Sequence, residues 1–394
     1  MGKPRIFISA GDVSGDLHGA GLIRALRCLA PDAEIVGLGG PRMADAGMRR
    51  IADTVEFGII GLAPLAGSFW RYADLLSRAD RFLAAWRPDV AVTIDCPGFH
   101  FLLASRLRAR RIPALWYIPP QLWAWAPGRI RKLGRRFTRV ACVLPHEEGF
   151  FRAHGVPAVF VGHPVVDHLR QLKLDQDFIR TLRSAPGERL VALLPGSRRQ
   201  EVASILARQL DVAHRLAARH GPCRFVLALA DARHHEWTAP LTFRSGLEIR
   251  TVVGKTHEVQ SAADLALVAS GTATLELAFY ETPMAVFYNV TWAQWNLVGR
   301  WVVRTPYLSL PNALAGRRIV PEFMRTAVPA TEMVSEASRL LVDETRRREV
   351  KAALAEVHRR IDKPGAADAA AREVLNLAGT IVPPPSALRP GFAM

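Results

Sequence analysis

The chain has 394 residues, enough for two domains with separate cores, and 49% of them are apolar. A net charge of +16 and a pI near 10.7 call for a polyanionic partner: nucleic acid, a phosphorylated substrate or an anionic membrane surface. Four cysteines (Cys28, Cys96, Cys142 and Cys223) stand far apart with no CxxC pair, which argues against a zinc site or a disulfide framework and suits a reducing compartment.

From the N-terminus, Met1 to Arg5 leads into only five apolar or small residues before Gly11, too short a run for a signal-peptide core. Residues 5–10 read as a strand, Gly11 to Gly15 as a turn and 17–30 as a helix with Leu22, Ile23, Leu26 and Leu29 on one face. Glu34 to Leu38 is the next strand. A helix over 71–86, a strand over Pro88 to Ile94, a helix over 99–110 and a strand over Ala114 to Ile118 follow. A Pro/Trp loop at 119–128 precedes strands at Val140 to Leu144 and Ala158 to Val161. The repeated strand–helix alternation predicts parallel, doubly wound α/β sheets.

The pattern lapses over 166–188, which reads as a linker behind a first domain at 1–165, and restarts for a second domain at 189–344. The expected fold is two Rossmann-like domains facing across a cleft. Helices within 345–380 are expected to pack back on the first domain, and order should fade in the tail 381–394 after Pro383-Pro384-Pro385. No segment reads as membrane-spanning. FGIIGLAPLAGSFW (57–70) has 14 uncharged residues but contains Pro64, and Thr282 to Gly299 is broken by Asn289, Gln294 and Asn296. The first stretch, followed by Arg71, Arg78 and Arg81, is either core or a patch that dips into lipid headgroups.

Two strand–small loop–helix units carry the clearest chemistry. Leu190 to Leu194 runs into Pro195-Gly196-Ser197-Arg198 and a helix from Gln200; Leu265 to Ala269 runs into Ser270-Gly271-Thr272 and a helix carrying Glu276. A buried parallel strand ending in such a turn aims backbone N–H groups at the mouth of the next helix, where phosphate is attracted. Two such turns can hold a diphosphate at the carboxyl edge of one sheet, as in a nucleotide-sugar site. The plainer reading is two tight turns.

In the first half, Gly11-Asp12-Val13-Ser14-Gly15-Asp16 lacks GxGxxG spacing, and its two acids would repel a dinucleotide pyrophosphate. Asp16 reads as a helix cap, while Asp12, Ser14 and Gly15 equally suit a sugar. Asp95 ends the apolar strand through Val90, Val92 and Ile94, where substrates bind in such sheets, and a partly desolvated carboxylate there suits a general base. A structural acid or helix cap is the other reading of Asp95. His100 is a partner or a core histidine. Trp116, Trp123 and Trp125 precede Arg129, Arg131, Lys132, Arg135, Arg136 and Arg139, with 129, 132 and 136 on one helical face. Nucleic acid, phosphate on a substrate or lipid, and a plain solvated face all fit that run.

The strings GDVSGDLHGAGLIRAL (11–26), GGPRMADAGM (39–48), IDCPGF (94–99), PQLWAW (120–125), LPHEEGFF (144–151), GHPVVD (162–167), LPGSRRQEV (194–202), ASGTATLE (269–276) and LPNALAGR (310–317) occur in an order that resembles the lipid-A-disaccharide synthases, glycosyltransferases of the two-Rossmann GT-B class. The resemblance runs from Ile8 to about Leu375. It implies an inverting transfer of a diacylated glucosamine from UDP-2,3-diacylglucosamine to the 6-hydroxyl of 2,3-diacylglucosamine 1-phosphate, with no metal and no cofactor. It assigns Asp95 the role of general base. Gly196, Ser197, Arg198, Ser270, Gly271, Thr272, Glu276 and Asn312 fall to the donor, with Arg198 on the departing diphosphate and Glu276 on ribose hydroxyls. Asp12, Ser14, Gly15 and Trp123 fall to the acceptor side.

The departures lie in the first half: Asp12 where the family usually has Glu, Gly98 where it has an acid, His100 where it has Asn, and an altered Ile118-Pro119-Pro120-Gln121 loop. UDP-sugar use therefore rests on firmer residues than the identity of the acceptor. The expected partners are the two acylated sugars and an anionic membrane surface, with no nucleic acid and with a homodimer left open. The expected location is cytoplasmic, peripheral on the inner face of the inner membrane. Other GT-B enzymes, among them a UDP-sugar epimerase or a transferase with a different lipid acceptor, and a basic nucleic-acid- or lipid-binding protein without catalysis, remain as alternatives.

Overall fold

A computed structural model describes residues 2–54, 66–124, 127–183, 187–197, 199–289, 305–324 and 328–380. Arg198, Trp125, residues 57–65 of the apolar 57–70 stretch, residues 290–304 and the tail 381–394 lie outside the described residues. The chain divides into two units, Met1–Pro164 with Lys363–Met394, and Val165–Asp362.

In the first unit β1 (Arg5–Ala10), α1 (Val13–Leu29), β2 (Glu34–Gly39), α2 (Pro41–Asp45) and β3 (Arg49–Asp53) build one side of a sheet. After α3 (Ala66–Trp86), the elements β4 (Val90–Ile94), α4 (Pro97–Ala109), β5 (Ala114–Tyr117), α5 (Ile130–Gly134), β6 (Arg139–Cys142), α6 (Pro145–Ala153) and β7 (Ala158–Phe160) build the other. All seven strands are parallel, in the order β3-β2-β1-β4-β5-β6-β7. Every residue of β4 and β5 is buried, as expected of strands covered on both faces. On one face Trp116 packs against Phe101 and Phe137 at ring separations of 5.0 and 4.5 Å. Strand β3 was not legible because Arg49, Arg50 and Asp53 break its apolar pattern; it sits at the sheet edge, where exposed charge is tolerated.

In the second unit β8 (Arg189–Leu194), α9 (Arg199–His220), β9 (Cys223–Leu229), α10 (His235–Ser245), β10 (Ile249–Val253), α11 (Thr256–Ala262), β11 (Leu265–Ala269), α12 (Ala273–Phe279), β12 (Met284–Phe287), α13 (Leu310–Ala315) and β13 (Glu322–Phe323) form a parallel sheet ordered β10-β9-β8-β11-β12-β13. Two helices, α14 (Ala330–Val342) and α15 (Glu344–Ile361), complete it.

Three expectations are corrected. The stretch read as a linker holds two helices, α7 (Pro164–Gln171) and α8 (Gln176–Thr181), whose neighbourhood buries Val165, Val166, Leu169 and Leu182. These short elements lack the length for a visible period, yet Asp175 caps the second of them and pairs with Lys255 of the same unit. The segment 345–380 does not go to one domain. Helix α15 buries Val350, Leu354, Val357 and Ile361 against α12, α13 and α14 of the second unit. Only the following helix, α16 (Ala366–Leu377), packs in the first unit, along α1, where Arg139 pairs with Glu373. Finally, the basic run over 129–139 is not one helix. Helix α5 stops at Gly134; Lys132 lies over the Phe101 ring and Arg136 donates to the Phe101 carbonyl. Those cations serve the packing of the first unit.

Candidate functional site

Each sheet reverses its winding once, and the reversal decides which loops lie side by side. In the first unit the order turns at the β1/β4 pair, with Ala10 opposite Ile94, so Gly11–Asp12 and Asp95–Cys96 leave the carboxyl edge together. In the second unit it turns at β8/β11, with Leu194 opposite Val268, which brings together Pro195-Gly196-Ser197 and Ser270-Gly271-Thr272. Ligands in open α/β sheets bind at such a reversal, outside the carboxyl ends of the strands. Both loop pairs singled out in the sequence fall there.

In the first unit the two loops touch. A Cβ on Gly11 would come within 2.4 Å of the Cys96 Sγ, so only glycine permits this approach. Asp12 caps α1: its Oδ1 accepts the Gly15 N–H at 2.6 Å, and a Cβ on Gly15 would stand 2.9 Å from that oxygen. Ser14 is exposed on the first turn. Asp16 caps a helix as expected, but not its own. It is buried and accepts from the amides of Gly40, Arg42 and Met43, which fixes the start of α2.

Asp95 is half-buried and, with Cys96, adopts a left-handed backbone (φ 49° and 46°). Two consecutive non-glycine residues in that region are costly and need support. His100, fully buried, supplies it: Nδ1 lies 2.6 Å from the Asp95 carbonyl oxygen and Nε2 lies 2.9 Å from the Ser9 Oγ. Burial lowers the imidazole to about 4, against the opposing pull of the Asp95 carbonyl, so the ring is neutral at pH 7. Burial pushes the Cys96 thiol up to about 12; the Phe99 amide opposes this, and the Asp95 and Asp12 carboxylates add to it. Cys96 is therefore a packed thiol and not a nucleophile.

Trp123 sits in the loop after β5. Its Nε1 donates to the Glu147 Oε1 at 3.1 Å, and its ring meets His146 edge-on at 4.6 Å. Glu147 is fully buried and also accepts from the Leu144 amide. Burial raises its carboxyl to about 7, although the Trp123 indole and the Leu144 and Val143 amides act in the opposite direction. The string LPHEEGFF alone gives this glutamate no role, because its partner lies 24 residues away in another loop.

In the second unit Gly196 takes φ 100° and Ser197 is exposed, while Ser270, Gly271 and Thr272 lie at the second turn, all three exposed. Glu276, half-buried in α12, accepts from the Gln260 Nε2 at 2.8 Å. Gln260 itself is fully buried, and its Oε1 lies 3.2 Å from the His257 Nδ1. Nothing in the sequence couples Gln260 to Glu276, since the contact crosses from α11 to α12. Asn312 does not join the loops as a donor-lining side chain. It is fully buried, and its Nδ2 donates to the Val320 carbonyl and Glu322 Oε1 while its Oδ1 accepts from the Ile319 and Val320 amides. Its four hydrogen-bonding positions are thus spent inside the chain, and the residue organises the 309–322 turn. Among the described residues no cluster of three His, Cys, Asp or Glu side chains is arranged to hold a metal ion, and no helix is long and apolar enough to cross a membrane.

Residues 6–374 match the model of the lipid-A-disaccharide synthetase family. The chain belongs to that family. Named lipid-A-disaccharide synthases from Anaeromyxobacter dehalogenans and Solibacter usitatus are 38% identical over 375 residues and 35% over 381, covering 95% and 94% of this chain and 97% and 98% of theirs. This synthetase-family chain is thus a glycosyltransferase of lipid A biosynthesis. Its GT-B fold is shared with a UDP-bound Staphylococcus aureus MnaA (TM-score 0.67, 11% identity, 97% and 99% of the two chains). It is shared too with Acinetobacter baumannii MurG (TM-score 0.56, 13% identity, 95% and 100%).

Proposed function

We propose that the enzyme condenses UDP-2,3-diacylglucosamine with 2,3-diacylglucosamine 1-phosphate, giving the β-linked disaccharide 1-phosphate and UDP. The observation that carries this is the coincidence of the recognised loops with the winding reversal of each sheet. Two sequence-distant loops sharing one edge in each unit are hard to explain by tight turns alone.

The second unit takes the UDP moiety. Backbone N–H groups around Gly196-Ser197 and Ser270-Gly271-Thr272 approach the diphosphate, and Arg198 offsets the charge that grows on it as the glycosidic bond breaks. Glu276, held by Gln260, accepts from ribose hydroxyls. The first unit takes the acceptor. Asp95 removes the proton of the attacking 6-hydroxyl, and inversion follows from a single in-line displacement. Asp12, Ser14 and Gly15 at the α1 start and Trp123 line the acceptor side. Acylated substrates must be collected from a lipid surface. A net charge of +16 suits attraction to the anionic inner leaflet, so the enzyme acts in the cytoplasm as a peripheral membrane protein.

The direct test is incubation with both diacylated sugars, read by mass. Disaccharide 1-phosphate and stoichiometric UDP are expected. An isomerised UDP-sugar formed without acceptor would instead favour an epimerase, the activity ascribed to a protein of related fold, the putative UDP-N-acetylglucosamine 2-epimerase of Listeria monocytogenes (TM-score 0.66).

A further inference from the structure

We infer that His100, backed by Ser9, is a positioning residue that holds Asp95 in its reactive setting. The inference rests on the reading of Asp95 as the base. A carbonyl oxygen only accepts, so the 2.6 Å contact places the imidazole proton on Nδ1, donating to the Asp95 carbonyl. Nε2 is then an acceptor, filled by the Ser9 hydroxyl at 2.9 Å. One neutral tautomer satisfies both bonds.

The ring spans the winding reversal: Ser9 belongs to β1, Asp95 follows β4 and His100 lies on α4. Around it, Phe99 and Trp116 stand edge-on at 5.7 and 6.4 Å, so the imidazole has little freedom to swing. The restrained carbonyl belongs to the first of the two left-handed residues. Relaxing Asp95 out of the left-handed region would change its φ, and turning about its N–Cα bond would swing Cβ and the carboxylate with it. Three supports bracket this turn: the Asp95 amide donates to the Tyr117 carbonyl, the His100 amide donates to the Cys96 carbonyl, and the ring holds the oxygen between them. A base displaced by about 1 Å loses on the order of a hundredfold in rate.

The test uses three substitutions that separate the two ring bonds. Asn presents an amide near the Nδ1 position, Gln near the Nε2 position, and Phe neither. His100→Asn should keep kcat within about fivefold, whereas His100→Gln and His100→Phe should lose about a hundredfold, with donor KM changed less than about threefold throughout. If the Phe variant does not fold, the Asn/Gln contrast alone decides. Equal rates for Asn and Gln, or a Phe variant near the parent rate, would overturn the proposal. Asp95→Asn and the double variant Asp95→Asn/His100→Gln complete the cycle. Action through Asp95 predicts no further loss in the double variant, and an added loss of about a hundredfold refutes it. Should Asp95→Asn alone retain most of its rate, the base reading itself fails; an inactive Asp95→Asn beside a fast His100→Gln removes only the positioning claim.

Discussion

Asn312→Ala separates a residue that builds a turn from one that grips a ligand. The substitution leaves two buried amides (Ile319 and Val320), the Val320 carbonyl and one Glu322 oxygen without their present partner. An unsatisfied buried polar group costs about 1–3 kcal/mol, and entry of water recovers part of that, so a net loss of about 3 kcal/mol is expected. In a unit of this size that corresponds to a fall in melting temperature of roughly 6–12 °C. Differential scanning calorimetry should show the fall. UDP titration well below the transition should give a dissociation constant within about threefold of the parent, because the side chain has no hydrogen-bonding capacity left for nucleotide. A variant that melts like the parent yet binds UDP about tenfold more weakly would refute the reasoning and return Asn312 to the donor site.

Two pH predictions follow from burial in the first unit. The Glu147 carboxyl is raised to about 7, so between its ordinary value and 7 the native state keeps a proton the unfolded chain has lost; its stabilisation is full at low pH and declines as pH rises through 7. Urea titrations of Glu147→Gln should therefore gain on the parent by about 3 kcal/mol from about pH 4.5 to 8, and parallel curves would contradict this. His163 behaves oppositely: burial, with a smaller push from His18, lowers it to about 3, so its stabilisation is present above pH 6.5 and is lost as pH falls towards 3. His163→Gln should lose less stability than the parent between about pH 7 and 5, and an unchanged slope would count against a neutral buried imidazole.

The architecture was legible because parallel strands buried on both faces are unbroken apolar runs, and their spacing left room for a helix each time. Strand ends and the loops that follow them were legible for the same reason, which is why Asp95 and the two Gly/Ser loops could be named. What stayed hidden depends on tertiary pairing. Asp16 is an acid at a helix start, and nothing local says that it caps α2 instead of α1. Asn312 in LPNALAG has the look of a ligand-binding amide, but its bonds go to residues 319, 320 and 322 of a turn with no signature of its own. His100 could be placed near Asp95 by count; that it bonds the backbone of Asp95, and not the carboxylate, required the left-handed turn. Helix Pro164–Gln171 was lost to its brevity, and the split of 345–380 between the units depends on which core each stripe meets.

The central claim, that Asp95 is the base while the nucleotide is gripped elsewhere in the chain, meets its most direct test in Asp95→Ala. Steady-state turnover and calorimetric UDP binding should be measured on the same preparation. Turnover is expected to fall by about 10³-fold or more, with UDP affinity unchanged within about twofold. A variant that kept turning over near the parent rate, or that lost UDP binding along with activity, would contradict the account.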